Sequence, residues 1–237
     1  MSEGLLSVDN LSAGYGGRPV LESLSLAIPS GQRLGLIGPN GCGKSTLLRT
    51  LTAEVPESSG TILFQEEDIT DLETDVIVGR GIGYLRQTHN VFSGLTVAEN
   101  LEIAAEDGRQ RAVRDVGAVL EAFPVLKGRD AVRAGLMSGG ERQALAVAMV
   151  LMHQVSLLLL DEPLAGLSQR SAMDLLRGID KLQREEGFAV VLVEHRLKLI
   201  FPYVDRVLVM VGGAVSEDTD DTSLLENRER LEKHFLA

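Results

Sequence analysis

The sequence predicts an α/β fold with an N-terminal antiparallel β subdomain and an inserted α-helical subdomain. Strand-sized apolar runs alternate with helical patterns toward both ends of the 237 residues. Strand signal almost vanishes between about 90 and 150, and a glycine-rich loop joins a buried strand to a helix near the start. The expected division is a single domain, with residues 1–89 and 154–237 as core and β subdomain and 90–153 as the helical insertion.

The elements follow in order. Leu24, Leu26 and Ile28 share one face of an early strand, with Ser25 and Ala27 on the other, the alternation of an antiparallel sheet. RLGLIG at 33–38 reads as a buried strand ending in the glycine loop, TLLRTL starts a helix, and GTILFQ at 60–65 and GIGYLRQ at 81–87 are strands. Thr96 and Glu99 have the spacing of a capping box ahead of a helix, and residues 109–123 form a second periodic stretch closed by Pro124. A third helix starts at Ser138. VSLLLLD at 155–161, a helix over 169–186, FAVVLVE and a short helix come next. RVLVMVGGAVSE then reads as a hairpin turning on Gly212 and Gly213, and Ser223 with Glu226 caps a final helix.

Composition limits the functions available. A hydrophobic content of 44% supports a full core without a disulfide or metal staple. The net charge of −11 argues against nucleic acid, whose binding rests on Lys and Arg neutralising phosphates. Cys42 is the one cysteine, which fits a reducing compartment. MSEGLLSVDN lacks the basic and apolar regions of a signal peptide, and no apolar run approaches the ~18–20 residues that span a bilayer. The expectation is a soluble, cytoplasmic protein that docks to something else.

Gly38-Pro39-Asn40-Gly41-Cys42-Gly43-Lys44-Ser45-Thr46 fits the P-loop pattern, so the core is expected to be that of a P-loop NTPase. Its glycines let backbone N–H groups wrap a phosphate chain at a helix N-terminus. Lys44 can reach the β- and γ-phosphates and the Ser45 hydroxyl can ligate Mg²⁺. Cys42, among those N–H groups and near Lys44, is expected to be alkylated with loss of nucleotide binding. LLLLDEP at 157–163 reads as a central parallel strand delivering two acids to a ligand crevice. Asp161 would hold the Mg²⁺ shell, and Glu162 would orient or deprotonate a water for in-line attack.

GLMSGGERQ at 135–143 raises a further question. Ser138, Gly139, Gly140 and Glu141 form a capping box that needs no ligand. An ordinary cap, however, does not need glycine at N1 and N2, where each costs ~1 kcal/mol of helix stability. Two such glycines suggest close approach by an anion. Because the P-loop already fills the chain's own need, that anion would be a phosphate held by another copy.

The set GPNGCGKS, SGGERQ and LLLLDEP, in that order and spacing, resembles the ATP-binding cassette of ABC transporters over almost the whole chain. The resemblance implies an ABC nucleotide-binding domain that uses ATP and Mg²⁺. Two cassettes would face each other head to tail, each nucleotide lying between one P-loop and the partner's SGG. It further implies that Tyr15 stacks on adenine, that Gln87 touches Mg²⁺ and signals to the membrane partner, and that His195 contacts the γ-phosphate. His89, His153 and His234 are read as bystanders. The implied partners are a second ABC ATPase subunit (identical or related), transmembrane permease subunits and, indirectly, a substrate-binding protein. The cassette would sit peripherally on the inner face of the cell membrane.

Ser168 departs from the pattern, standing where the family often has an aspartate after LLLLDEP, which leaves the role of that loop open. LEAFPVLKGRDAVRAGLMSGGERQ at 120–143 and the terminal SLLENRERLEKHFLA are similar to ATPase subunits of branched-chain amino acid importers and the related amide and urea systems. A lipopolysaccharide-export ATPase shares the same ingredients. A soluble, non-transport ABC ATPase is the other alternative, disfavoured by the single cassette, the short helical insert and the acidity.

Overall fold

The computed structural model describes residues 4–88, 90–106 and 112–226. β1 (Gly4–Tyr15) and β2 (Arg18–Pro29) form an antiparallel hairpin across Gly16 and Gly17. Leu24, Leu26 and Ile28 are buried along β2 while Ser25 and Ala27 are exposed, as the alternation requires. β3 (Arg33–Ile37) enters a second sheet and passes through the glycine loop into α1 (Lys44–Leu51). β4 (Glu57–Phe64) returns antiparallel to β1, and β5 (Glu67–Asp68) completes the first sheet in the order β2-β1-β4-β5. β4 begins before GTILFQ does, and Gln65 leaves it with φ 51°. α2 (Thr74–Gly79) and β6 (Ile82–Leu85) follow. Neither β5 nor α2 is anticipated by the sequence, being only two and six residues long.

The insertion holds α3 (Val97–Ala105), α4 (Val116–Ala122) and α5 (Gly139–Val150). The capping box of α3 forms as its spacing predicts: the Glu99 N–H donates to Thr96 Oγ1 (3.2 Å), and Glu99 Oε2 accepts from the Thr96 N–H (2.7 Å). The periodic stretch 109–123 is corrected. Residues 109–111 lie outside the described residues, and the helix begins only at Val116, where Asp115 Oδ1 accepts the Ala118 N–H. Upstream, the Arg114 N–H bonds Met152 O at 2.7 Å and Val113 bridges to His153, so tertiary pairing holds this segment extended. Pro124 ends α4 but also opens a 3₁₀ turn, Pro124–Leu126.

β7 (Leu157–Asp161), α6 (Gln169–Glu186), β8 (Ala189–Val193), α7 (Leu197–Ile200), β9 (Arg206–Val211) and β10 (Ala214–Thr219) complete the fold. α6 matches its expected span because both ends are signalled: Ser168 caps it, and Gly187 stops it at φ 74°. Only the start of the expected final helix falls among the described residues. Thr222–Glu226 is a 3₁₀ turn in which the Ser223 hydroxyl donates to Asp221, while residues 227–237 lie outside the described residues.

The second sheet runs β10-β9-β3-β8-β7-β6 and is parallel from β9 to β6. It divides the core. Leu158 and Leu160 pack into a cluster with Leu145, Ala148 and Leu176, while Leu157 and Leu159 face the other cluster with Leu36, Leu48 and Phe64. A strand buried on both faces reads as a continuous apolar run, which is why β7 is so plain in the sequence.

At the N-terminal edge of this sheet, Arg33 Nε and Nη2 grip both oxygens of Asp205 (2.9 and 2.5 Å) and Nη1 reaches Asp180 on α6 (3.0 Å). The Arg33 hydrogen bonds hold the Asp205 carboxyl below the usual carboxylate range. Its stabilisation is therefore full above the ordinary range and is lost as pH falls through the depressed value. Asp205→Asn is expected to cost about 0.5–1 kcal/mol at pH 7, discounted for exposure, with the gap to wild type closing below about pH 4. Urea titrations at several pH values check this; a gap constant from pH 3 to 7 would contradict it.

Candidate active site

Four neighbouring strands, β3, β8, β7 and β6, deliver their C-terminal ends to one edge of the sheet. That edge of an open parallel sheet is where ligand crevices form. After β3 comes the glycine loop, after β8 Glu194 and His195, at the end of β7 Asp161 and Glu162, and after β6 Gln87. A cleft of about 460 Å³ lies among them, lined by Val20, Asn40, Gly41, Gly43, Lys44, Ser45, Thr46, Gln87, Glu162 and His195.

The loop is built to present backbone. Gly43 caps α1 at φ 105° with no side-chain bond to the first turn, so the N–H groups there keep their capacity for an anion. A Cβ on Gly43 would also press within 2.7 Å of Leu21, so packing and conformation both demand glycine. Lys44 is nearly buried and its ammonium folds back onto the carbonyls of Gly38 (2.8 Å) and Pro39 (3.0 Å). That holds its charge over the loop's own concavity. Gly38, Pro39 and Cys42 do not line the cleft. Cys42 is 4% exposed and its thiol belongs to the apolar cluster of Leu36 and Leu48.

The expectation of an accessible thiol is therefore corrected: the glycine loop turns this side chain into the core. Native protein should resist a small alkylating reagent with or without nucleotide and label fully once unfolded. Rapid native labelling, followed by mass spectrometry, would contradict that placement.

The acids differ sharply. Asp161 is buried and accepts the Ser45 hydroxyl at 3.0 Å on Oδ1 and the Tyr84 hydroxyl at 3.4 Å on Oδ2. Burial pushes its carboxyl up, Ser45 draws it back, and the Glu162 charge adds to the rise. A cation beside it would relieve that cost. No cluster of three or more His, Cys, Asp or Glu side chains fit to cage a metal exists among the described residues. The hydroxyl–carboxylate pair instead suits Mg²⁺, which keeps waters and phosphate oxygens in its shell rather than a full protein cage.

Glu162 sits at φ 50°, a left-handed conformation that costs a residue with a Cβ about 1–3 kcal/mol. Its N–H is anchored to Val193 O at 3.0 Å, and Pro163 disfavours the right-handed helical alternative. The side chain thereby spans the mouth of the cleft. Oε2 accepts from Gln87 Nε2 at 3.1 Å and Oε1 meets His195 Nε2 at 3.0 Å. Gln87, Glu162 and His195, which lie 75 and 33 residues apart in sequence, thus form one hydrogen-bonded row.

Other sequence-predicted residues lie elsewhere. Tyr15 ends β1, is 41% exposed and does not line the cleft. Ser138, Gly139, Gly140 and Glu141 are also outside it. They make a full capping box, with the Ser138 N–H donating to Glu141 Oε2 (2.8 Å) and the Glu141 N–H to Ser138 Oγ (3.4 Å). Glu141 is further engaged by Arg129 at 2.6 Å.

The two glycines prove unequal. A Cβ on Gly140 would lie 2.8 Å from Ser171 Oγ, an in-chain reason for its absence, whereas one on Gly139 would meet nothing within 4 Å. Only Gly139 is left without a packing cause. His153 is buried in the helical subdomain; His89 and His234 lie outside the described residues.

Sequence reasoning missed Tyr84, whose contact with Asp161 crosses between elements and leaves no local pattern. Burial and then the Asp161 charge push the Tyr84 phenol up. It also missed Glu194, although VVLVE repeats the signal of LLLLD, an apolar strand ending in an acid.

Known proteins share this arrangement. Residues 21–165, which run from ahead of the glycine loop past the acid pair, match the family described as ABC transporter. Probable branched-chain amino acid transport ATP-binding protein LivF of Archaeoglobus fulgidus is 37% identical over 97% of each chain. Lipopolysaccharide export system ATP-binding protein LptB of Escherichia coli K12 is 33% identical over 98% of this chain and 97% of its own. The ADP conformation of MJ1267, an ATP-binding cassette of an ABC transporter, superposes with a TM-score of 0.81 at 25% identity, covering 99% of both chains. Sequence, fold and cleft converge on one assignment: the chain belongs to the ABC transporter family, as a nucleotide-binding subunit that hydrolyses ATP.

Proposed function

We propose that this chain is the motor subunit of an importer for branched-chain amino acids or related small polar solutes. The observation that carries its chemistry is the Glu162 carboxylate held between Gln87 and His195 at the mouth of the P-loop cleft. The loop N–H groups and the start of α1 bind the phosphates, with Lys44 exchanging the Gly38 and Pro39 carbonyls for β- and γ-phosphate oxygens. Ser45 and Asp161, with Gln87, would hold Mg²⁺, which would supply charge neutralisation on those oxygens.

Glu162 then takes the proton of a water whose oxygen forms the new bond to the γ-phosphorus, and the bond to the bridging oxygen breaks to leave ADP and phosphate. His195 and Gln87 keep Glu162 aimed, and His195 faces the γ-phosphate. Most of the rate gain is positional and electrostatic, because the groups are already in place before the reaction. Tyr15 supplies the aromatic surface for adenine.

Ser138, Gly139 and Gly140 serve a phosphate bound by the opposite cassette. Two cassettes close around two ATP molecules, moving attached transmembrane permease subunits that receive cargo from a substrate-binding protein, and hydrolysis reopens them. No helix among the described residues is long and apolar enough to cross a membrane, so attachment runs through those partners on the inner face.

The cargo rests on likeness to the branched-chain amino acid transport protein; the comparable likeness to LptB supports an exporter as the second reading. Co-purification from native membranes in mild detergent separates them. Two apolar membrane subunits, with a binding protein encoded alongside or captured, support the importer. Partners that extract a lipid would favour export, and a protein held by no membrane subunit would sink both.

A further inference from the structure

Glu194 is an acid with 3% of its surface exposed, lying directly beside His195 and outside the row that faces the cleft. A buried carboxylate is retained only where hydrogen bonds offset its desolvation. Here the bonds come from the backbone of two separate loops. Leu164, in the loop after the acid pair, donates its N–H to Glu194 Oε1 at 2.6 Å. His195 donates its N–H to Oε2 at 3.2 Å. The Arg196 side chain fastens the same junction from the other side, its Nη1 donating to the carbonyls of Leu167 (2.9 Å) and Leu164 (3.4 Å). Leu164 is thus held at both its N–H and its C=O by residues flanking His195.

The fastened loop leads straight to a second functional segment. Its last residue, Ser168, caps α6, accepting the Ser171 N–H at 3.1 Å with the two hydroxyls 2.9 Å apart. Ser171 in turn is the group a side chain on Gly140 would strike. A path therefore runs from the backbone of His195, through Glu194 and Arg196 to the 164–168 loop, and along that loop to Ser171, which lies against Gly140 at the start of α5. A neutral serine at 168 offers no charge of its own to hold this loop in register, and the charges that do so come from 194 and 196.

We propose that Glu194 and Arg196 are positioning residues for ATP hydrolysis, which clamp the 164–168 loop to the backbone of His195 so that the switch segment and the start of α6 move as one body. This rests on the reading of His195 and Glu162 given above and adds to it the device that ties that site to the chain's own SGG segment. In a head-to-tail pair, that segment serves the other nucleotide. Glu194→Gln keeps the shape and one acceptor oxygen but turns an NH₂ group toward backbone donors, and Arg196→Ala removes the second fastening. Neither residue lines the cleft, so nucleotide binding should survive both changes.

The test is steady-state ATPase of the full chain as wild type, Glu194→Gln, Arg196→Ala, Arg196→Lys, the double variant Glu194→Gln/Arg196→Ala, and Glu162→Gln. The expected result is a kcat about 10- to 100-fold lower for Glu194→Gln, with the KM for ATP within about twofold. Arg196→Lys should recover part of what Arg196→Ala loses, and the double variant should lose less than the product of the single losses, as members of one clamp do. Unchanged kcat in both single variants, or losses that multiply independently, would overturn the proposal. If Glu194→Gln does not fold, the Arg196 pair decides alone by the same kcat and KM criteria. Full turnover by Glu162→Gln would remove the base assignment but not the clamp, whose losses are read against wild type.

Discussion

Glu162→Gln is expected to bind ATP with near wild-type affinity while its kcat falls about 10²- to 10⁴-fold, the usual worth of a general base. The amide keeps the size of the side chain and can still accept from Gln87, so the row across the cleft persists in shape. It cannot take a proton from water. The phosphate-binding parts, the loop N–H groups, Lys44 and the Ser45–Asp161 pair, are untouched. ATP should therefore remain bound and hold two copies together far longer than in wild type, which size-exclusion chromatography with ATP and with ADP would show. Wild-type turnover in this variant would remove Glu162 from the chemistry and leave its left-handed backbone without a functional reason.

Gly139→Asp is expected to abolish ATPase activity, by at least about 10²-fold, without lowering the stability of the free chain. The chain itself has room: a Cβ at 139 meets nothing within 4 Å. An acid at the first turn of α5 even suits the helix dipole, by about 0.3–1 kcal/mol. The damage would come only from outside, where the new carboxylate faces an incoming phosphate. Gly140→Ala makes the contrasting case, because its methyl would collide with Ser171 and unsettle the contact between α5 and α6 in the chain alone. Thermal unfolding beside ATPase assays distinguishes the two. If Gly139→Asp destabilised the free chain as much as Gly140→Ala does, the first glycine would be a packing residue and not a place left open for a ligand.

How legible each feature was depended on whether its cause is local. β7 and β8 are continuous apolar runs because both their faces are buried, and α6 carries its start and stop signals at Ser168 and Gly187. The glycine loop is legible because a strand, left-handed glycines and a helix start must follow one another in sequence. The stretch 109–123 misled because periodicity is blind to Arg114, whose guanidinium is claimed by Glu186 and by the carbonyls of Leu151 and His153. The i, i+3, i+4, i+7 spacing of Val116, Val119, Leu120 and Phe123 would suit a longer helix; the tertiary bonds and the Asp115 cap shorten it.

The candidate site divides in the same way. Lys44, Ser45, Asp161 and Glu162 could be named from motifs, since their chemistry is tied to spacing along the chain. That Gln87 and His195 share one carboxylate follows only from the order in which β6, β7 and β8 lie in the sheet. Glu194 carries the strand-end signal of VVLVE, but what it and Arg196 hold is not legible, since their partners are backbone groups about thirty residues away that carry no sequence signal.

The claim that most needs testing is that one nucleotide site is made from two chains, the P-loop of one and the Gly139 end of α5 from the other. The direct measurement is the ATPase activity of an equimolar mixture of Lys44→Ala and Gly139→Asp chains, each inactive alone. In a head-to-tail pair one of the two sites then has both intact halves, and activity should return to about a quarter of wild type if subunits exchange freely and sites act independently. A mixture no more active than its components, despite mixed pairs demonstrated by cross-linking, would contradict the account and place both glycine segments in the service of their own chain.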